Sequence, residues 1–146
     1  MQINTSRFGP VEIMPEDILL FSRGIIGFEE HRHWVLLGDD SSDCVAWLQS
    51  LSDEAVALPL VSPRRFVPSY RVRITKDQLS PLELTVLDHA FVLVTLSYYD
   101  RGPTINLRAP IVINLDRRIG KQLVTSTVES VQQAILGEST TLRKSA

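Results

Sequence analysis

Trp34-Val35-Leu36-Leu37, closed by Gly38-Asp39-Asp40, opens a stretch in which short apolar runs alternate with turn residues. Val45-Ala46-Trp47-Leu48-Gln49-Ser50-Leu51 follows and is closed by Ser52-Asp53-Glu54. Val56 to Val61 runs into Pro63, and Tyr70-Arg71-Val72-Arg73-Ile74 then alternates cleanly. Short runs rich in Val, Ile and aromatics, punctuated in this way, predict the antiparallel strands of a sandwich or barrel. The pattern extends in both directions. Toward the N-terminus lie Ile3 with Gly9-Pro10, Val11-Glu12-Ile13 with Pro15, and Ile18-Leu19-Leu20-Phe21 with Gly24 and Gly27. Toward the C-terminus, Phe91 to Tyr99 reads as a strand. Pro103 to Asn114 reads as two short strands kinked at Ala109-Pro110, because proline cannot donate to a central ladder.

Two segments read as helical. Ser80-Pro81-Leu82-Glu83 has the form of a capping box with proline at the first helical position, so a short helix is expected there. Ser126-Thr127-Val128-Glu129 is a second such box; Val128, Val131 and Ile135 fall at helical spacing, and Gly137 is placed to stop the helix. The expectation is a mostly β, small single-domain antiparallel barrel-like fold over residues 1–137 with two short helices, followed by a flexible polar tail over 138–146.

The 146 residues are enough to bury a self-sufficient core. A hydrophobic fraction of 44% and a charged fraction of 22% exclude a disordered or coiled-coil chain. No apolar run approaches the ~20 residues that span a bilayer. Pro10 and Pro15 interrupt the start, which does not read as a secretory signal. The single Cys44 makes no internal disulfide, so a cytoplasmic location is expected. The net charge of −2 hides an asymmetry: residues 1–58 carry ten acids against three arginines, and residues 59–146 carry seven against twelve bases. An ordinary nucleic-acid protein would show an overall basic excess.

Enzyme signals are poor. Cys44 paired with His31, His33 or His89 could form a nucleophilic site, but nothing in the sequence supplies a base or oxyanion donor at a fixed spacing. Within Cys44-Val45-Ala46-Trp47-Leu48 the plainer reading is a small buried hydrophobe. His31-x-His33 lacks further ligands at metal-site spacing, so no metal and no cofactor is expected. Gly24-Ile25-Ile26-Gly27 lacks the third glycine of a dinucleotide loop, and its glycines read as permitting positive φ or a close backbone approach. A second reading is direct RNA binding. Arg64, Arg65, Arg71, Arg73 and Lys76 surround Phe66 and Tyr70, mixing phosphate-binding charge with stacking rings, although a solvated strand face would look the same.

The segment Thr104-Ile105-Asn106-Leu107-Arg108-Ala109-Pro110-Ile111-Val112-Ile113-Asn114, with Gly120-Lys121-Gln122 after it, closely resembles the C-terminal motif of the FliW family of flagellar assembly factors. Gly24-Ile25-Ile26-Gly27-Phe28-Glu29, Trp47-Leu48-Gln49-Ser50, and Leu58-Pro59-Leu60-Val61-Ser62-Pro63 with Phe66 and Tyr70 resemble further family motifs, in the family's order. The resemblance implies a small, mostly β, non-enzymatic cytoplasmic binder. Such proteins hold flagellin before export and, when freed, bind the RNA-binding translational repressor CsrA, which couples flagellin synthesis to secretion. Two protein partners are therefore expected, with no direct nucleic acid, no membrane and a monomer when free. The chain departs from the family pattern at Ser62, where an acidic residue is common, and at Arg71 and Arg73, where acids are frequent.

Strand alternation then narrows the binding surface. If the four runs between Trp34 and Ile74 are successive antiparallel strands, Asp39, Asp40 and Asp43 share one end with Arg64 and Arg65 and are partly neutralised. Asp53 and Glu54 lie at the opposite end, where Asp77 emerges, leaving a negative patch suited to a basic repressor. Asp53, Glu54 and Asp77 are the expected CsrA contacts. Flagellin is expected on an apolar surface, with Phe66 and Tyr70 as candidates if their rings are exposed.

Overall fold

The fold is given by a computed structural model that describes residues 1–72, 74–84, 90–125 and 132–134. β1 (Gln2–Thr5) and β2 (Gly9–Glu12) form a separate hairpin. The main sheet contains β3 (Leu19–Leu20), β4 (His33–Asp39), β5 (Ser42–Ser50), β6 (Ala57–Val61), β7 (Ala90–Tyr99), β8 (Gly102–Asn106), β9 (Ile111–Asn114), β10 (Ile119–Gln122) and β11 (Gln132–Ala134). One α-helical turn, α1 (Lys76–Leu79), lies between β6 and β7. Three 3-10 turns, Pro15–Asp17, Pro63–Arg65 and Ser80–Leu82, each carry a proline in their first two positions, where a missing N–H costs nothing.

Neighbouring strands run β7-β6-β5-β4-β3-β10-β9, and β9 pairs back onto β7, so the ladder closes into a ring. Closure follows from the kink expected at Ala109-Pro110. β7 advances three residues from Leu93 to Leu96, while the facing arm takes six from Ile105 to Ile111. The excess is absorbed as a bulge at Leu107-Arg108-Ala109-Pro110, which lets β8 and β9 both pair with β7 while β9 turns toward β10.

All four residues of β9 are buried, because both of its faces are covered. Ile111 and Ile113 enter the main core with Phe21, Trp34, Leu48 and Leu60, whereas Val112 packs with Leu82 and Leu123. Asn114 staples that second layer. Its Nδ2 donates to the Leu82 carbonyl at 2.8 Å, and its Oδ1 accepts from Asp116 and Arg117 amides at 3.1 and 3.3 Å.

Three local expectations are corrected. Tyr70–Ile74 is no strand: Tyr70, Arg71, Val72 and Ile74 run as irregular chain, Arg73 lies outside the described residues, and β6 pairs with β7 instead. The helix expected from Ser80 begins one turn earlier. The Thr75 hydroxyl accepts from the Gln78 amide at 3.2 Å while Gln78 Oε1 accepts from the Thr75 amide at 3.0 Å, so Thr75-x-x-Gln78 is the working capping box. Ser80–Leu82 continues only as a 3-10 turn, and Glu83, at a φ of 52°, ends it. The helix expected over 126–137 is overturned at 132–134, where β11 pairs antiparallel with β8 through Gln132↔Asn106 and Ala134↔Thr104. Spacing alone cannot see the free edge of β8, which offers backbone partners to any nearby chain. The rest of that helix and the tail over 138–146 lie outside the described residues.

Candidate functional site

The turn between β5 and β6 carries Asp53 and Glu54, both exposed, on a backbone held from below. β5 ends in two polar residues, Gln49 and Ser50, that are buried to 0% and 2% exposure. Gln49 Nε2 donates to the carbonyls of Ser50, Asp53 and Glu54 at 3.0, 3.4 and 3.2 Å. Ser50 Oγ accepts from the amides of Ser52 and Asp53 at 3.0 and 3.3 Å and meets His31 Nδ1 at 2.7 Å. The Asp53 carboxylate is used locally on one oxygen, which accepts from the Ala55 amide at 2.9 Å.

The β1–β2 hairpin lies against the outer side of the same strand. Trp47 and Gln49 share a face of β5 by alternation. The Arg7 guanidinium sits 3.8 Å over the Trp47 ring and Phe8 meets it edge-on. The Ser6 amide donates to the Glu54 carbonyl at 2.9 Å, so that carbonyl is a junction between hairpin, strand and turn. No ion pair reaches Asp53, Glu54 or Asp77 among the described residues.

Asp77 stands apart from the other two acids. With no strand at 70–74, the alternation that placed it beside Asp53 and Glu54 does not operate. It lies exposed on α1, which is tied to β10 by Lys121 Nζ donating to the Gln78 carbonyl at 3.3 Å. Around the ring, β4 and β3 separate β10 from β5. At the other end of β5, Asp39, Asp43 and Arg65 line one open groove with Cys44 and the exposed Phe91. Asp39 is saturated there: Ser41 donates to it through its hydroxyl and amide, and Trp47 Nε1 donates at 3.0 Å. Those bonds hold its carboxyl at about 2, below the ordinary 3.8.

The Tyr70 ring is buried. It is 7% exposed, packs with Leu107 and Ile105, and donates its hydroxyl to the Leu107 carbonyl at 2.7 Å. Burial pushes that hydroxyl up to about 12. Phe66 is half-buried against the same cluster. The exposure on which the flagellin expectation at Tyr70 depended is not met, and of the two rings in the RNA reading Tyr70 is buried while Phe66 keeps part of its surface. Of its basic residues, Arg64 Nε donates to the Tyr70 carbonyl at 3.2 Å and Arg65 reaches Cys44 Sγ at 3.7 Å. Cys44 is buried, and His89 lies outside the described residues. His31 is committed to Ser50 and packed between Phe28, edge-on, and a tilted Trp34. Among the described residues no three His, Cys, Asp or Glu side chains converge as metal ligands. Arg108 is exposed, and no described helix is long and apolar enough to cross a membrane.

The Gly24-Ile25-Ile26-Gly27 motif has structural work, as its glycines suggested. Gly24 and Gly27 adopt φ of 65° and 89°, and a Cβ at Gly24 would fall 2.5 Å from the Glu29 carbonyl oxygen. The Ile26 amide donates to Gln122 Oε1 at 2.8 Å, joining this loop to Gly120-Lys121-Gln122 across the cleft they share. Sequence reasoning missed the clamp of His31, Gln49 and Ser50 beneath the acidic turn. The available signal was a Gln-Ser pair ending an otherwise apolar run.

Comparison with known proteins agrees with this architecture. The family model for FliW protein matches residues 2–135. A flagellar assembly factor FliW of Bdellovibrio bacteriovorus is 42% identical over 126 residues, covering 85% of this chain and 72% of that protein. One from Clostridium tetani is 33% identical over 131 residues, covering 88% and 90%. The crystal structure of the flagellar assembly factor FliW superposes with a TM-score of 0.86 at 31% identity, covering 94% of this chain and 99% of the other. With the family model matching residues 2–135 and a solved structure superposing over nearly the whole length, the chain belongs to the FliW family.

Proposed function

We propose that this member of the FliW family serves flagellar assembly as a non-catalytic cytoplasmic binding protein. It holds flagellin and, when free, binds and antagonises CsrA, so that flagellin synthesis follows export. Family membership and the relatives' role as flagellar assembly factors support the first part. The observation that carries the second is the rigid, exposed Asp53–Glu54 turn, whose carboxylates are not neutralised by any described cation. A basic RNA-binding partner is attracted to such a turn, and complementary charge raises encounter rate and fixes register. Asp77 is a second contact, on α1, reached by a partner broad enough to span β3 and β4. Flagellin is assigned to apolar surface, of which only Phe66 remains from the sequence-based pair.

The test is the triple variant Asp53→Asn, Glu54→Gln, Asp77→Asn. It should weaken CsrA binding and flatten its salt dependence while leaving the melting temperature unchanged. Unchanged affinity at low salt would reject these residues as the contact.

A further inference from the structure

The direction of one proton decides how the acidic turn is held. Ser50 Oγ accepts two backbone N–H groups, from Ser52 and Asp53, and a hydroxyl oxygen has two lone pairs. Its own proton is left to point at the third neighbour, His31 Nδ1, at 2.7 Å. The Nε2–H tautomer of His31, accepting at Nδ1, completes that arrangement. Its ring is fixed for this by Phe28, edge-on at 5.8 Å with an interplanar angle of 86°, and by Trp34, tilted at 5.8 Å with one of 40°. The backbone is fixed as well, since Trp34 Nε1 donates to the His31 carbonyl at 2.8 Å.

The two sides of the turn are thus set by different residues. Gln49 gathers the carbonyls of Asp53 and Glu54, and Ser50 gathers the amides of Ser52 and Asp53. The carbonyl side has a second support in the Ser6 amide, whereas the side-chain support of the amide side is Ser50. We propose that Ser50, oriented by His31, is the positioning residue that presents Asp53 and Glu54 to the basic partner; this rests on the reading of that turn as the CsrA contact. Ser50 touches no partner itself, because it is 2% exposed. Its effect on binding passes through the turn.

The experiment uses the full chain and four variants: Ser50→Ala, Ser50→Thr, His31→Phe and the surface pair Asp53→Asn with Glu54→Gln. Amide hydrogen exchange and affinity for purified CsrA are read in each. Ser50→Ala should speed exchange at Ser52 and Asp53 about tenfold, with the amides of β9 unchanged, and weaken CsrA about three- to tenfold. Ser50→Thr keeps the hydroxyl and should restore both. His31→Phe keeps a ring between Phe28 and Trp34 but removes the acceptor, and should move both readouts in the alanine direction. Unaltered exchange at Ser52 and Asp53 in Ser50→Ala overturns the proposal, as does loss of CsrA affinity in Ser50→Thr equal to that in alanine. If the surface pair weakens CsrA and Ser50→Ala does not, the positioning role fails and the contact stands. If the surface pair leaves CsrA untouched, the contact fails, and exchange alone judges the clamp.

Discussion

Replacing Gly120 by alanine should cost the fold about 3 kcal/mol, the upper end of the range for overpacking a core. A Cβ at that position would lie 2.2 Å from the tip of the Phe21 ring and 2.5 and 2.6 Å from the next two ring carbons. Ordinary carbon–carbon contact needs ~3.5–4.0 Å, so about 1.3–1.8 Å of movement must be found. Neither partner has it freely. Phe21 is 0% exposed and meets Trp34 edge-on at 6.4 Å, and its amide is tied to the Arg32 carbonyl at 2.7 Å. Gly120 is paired with Ile113, and the next residue back, Ile119, with Leu20, so the two backbones are fastened beside the clash. For a domain of this length the loss corresponds to a fall in melting temperature of roughly 10 °C. The assay is urea and thermal unfolding of a double-mutant cycle. Phe21→Leu alone should cost about 1–2 kcal/mol, and the double variant should cost at least about 1 kcal/mol less than the sum. An alanine variant melting within about 2 °C of the parent, or strictly additive costs, would refute this packing and with it the close approach of β3 and β10 that closes the barrel.

Other outcomes follow from the same geometry. Tyr70→Phe should lose about 1–2 kcal/mol in urea unfolding, because the Leu107 carbonyl is left without its buried donor, while CsrA and flagellin affinities stay unchanged; a binding defect at full stability would return Tyr70 to the surface. Gly24→Ala should destabilise more than Gly27→Ala in thermal melts. Both have positive φ, but only Gly24 would also drive a Cβ into the Glu29 backbone, and equal losses would contradict that. Asp39 has a carboxyl depressed from 3.8 to about 2, so its contribution is full above 3.8 and is lost as pH falls through about 2. Acid unfolding followed by Trp47 fluorescence should therefore be less steep in Asp39→Asn over that window, and an identical profile would remove Asp39 from the acid response.

The barrel was legible where apolar runs and turn residues alternate, because a half-buried strand writes its period directly into the chain. Trp34–Leu37 lies within β4, Val45–Ser50 within β5, and Ala109-Pro110 between β8 and β9, where the pattern put them. What misled was local resemblance without tertiary context. Tyr70-Arg71-Val72-Arg73-Ile74 alternates as a strand would, yet Tyr70 turns inward to reach Leu107 and the segment leaves the sheet. Val131 and Ile135 have helical spacing, yet residues 132–134 meet the open edge of β8. Ser80-Pro81 has a capping form, but Thr75 and Gln78 complete theirs first. The acidic turn was legible as charge. Its support was not, since the bond from Ser50 to His31 joins residues whose closeness depends on β4 and β5 pairing.

The most direct test of the central claim is calorimetric titration of the unaltered protein with CsrA at low and moderate salt, repeated with flagellin already bound. The account predicts a saturable complex that weakens as salt rises and that flagellin prevents. Absence of CsrA binding at low salt, with RNA bound in its place, would contradict it.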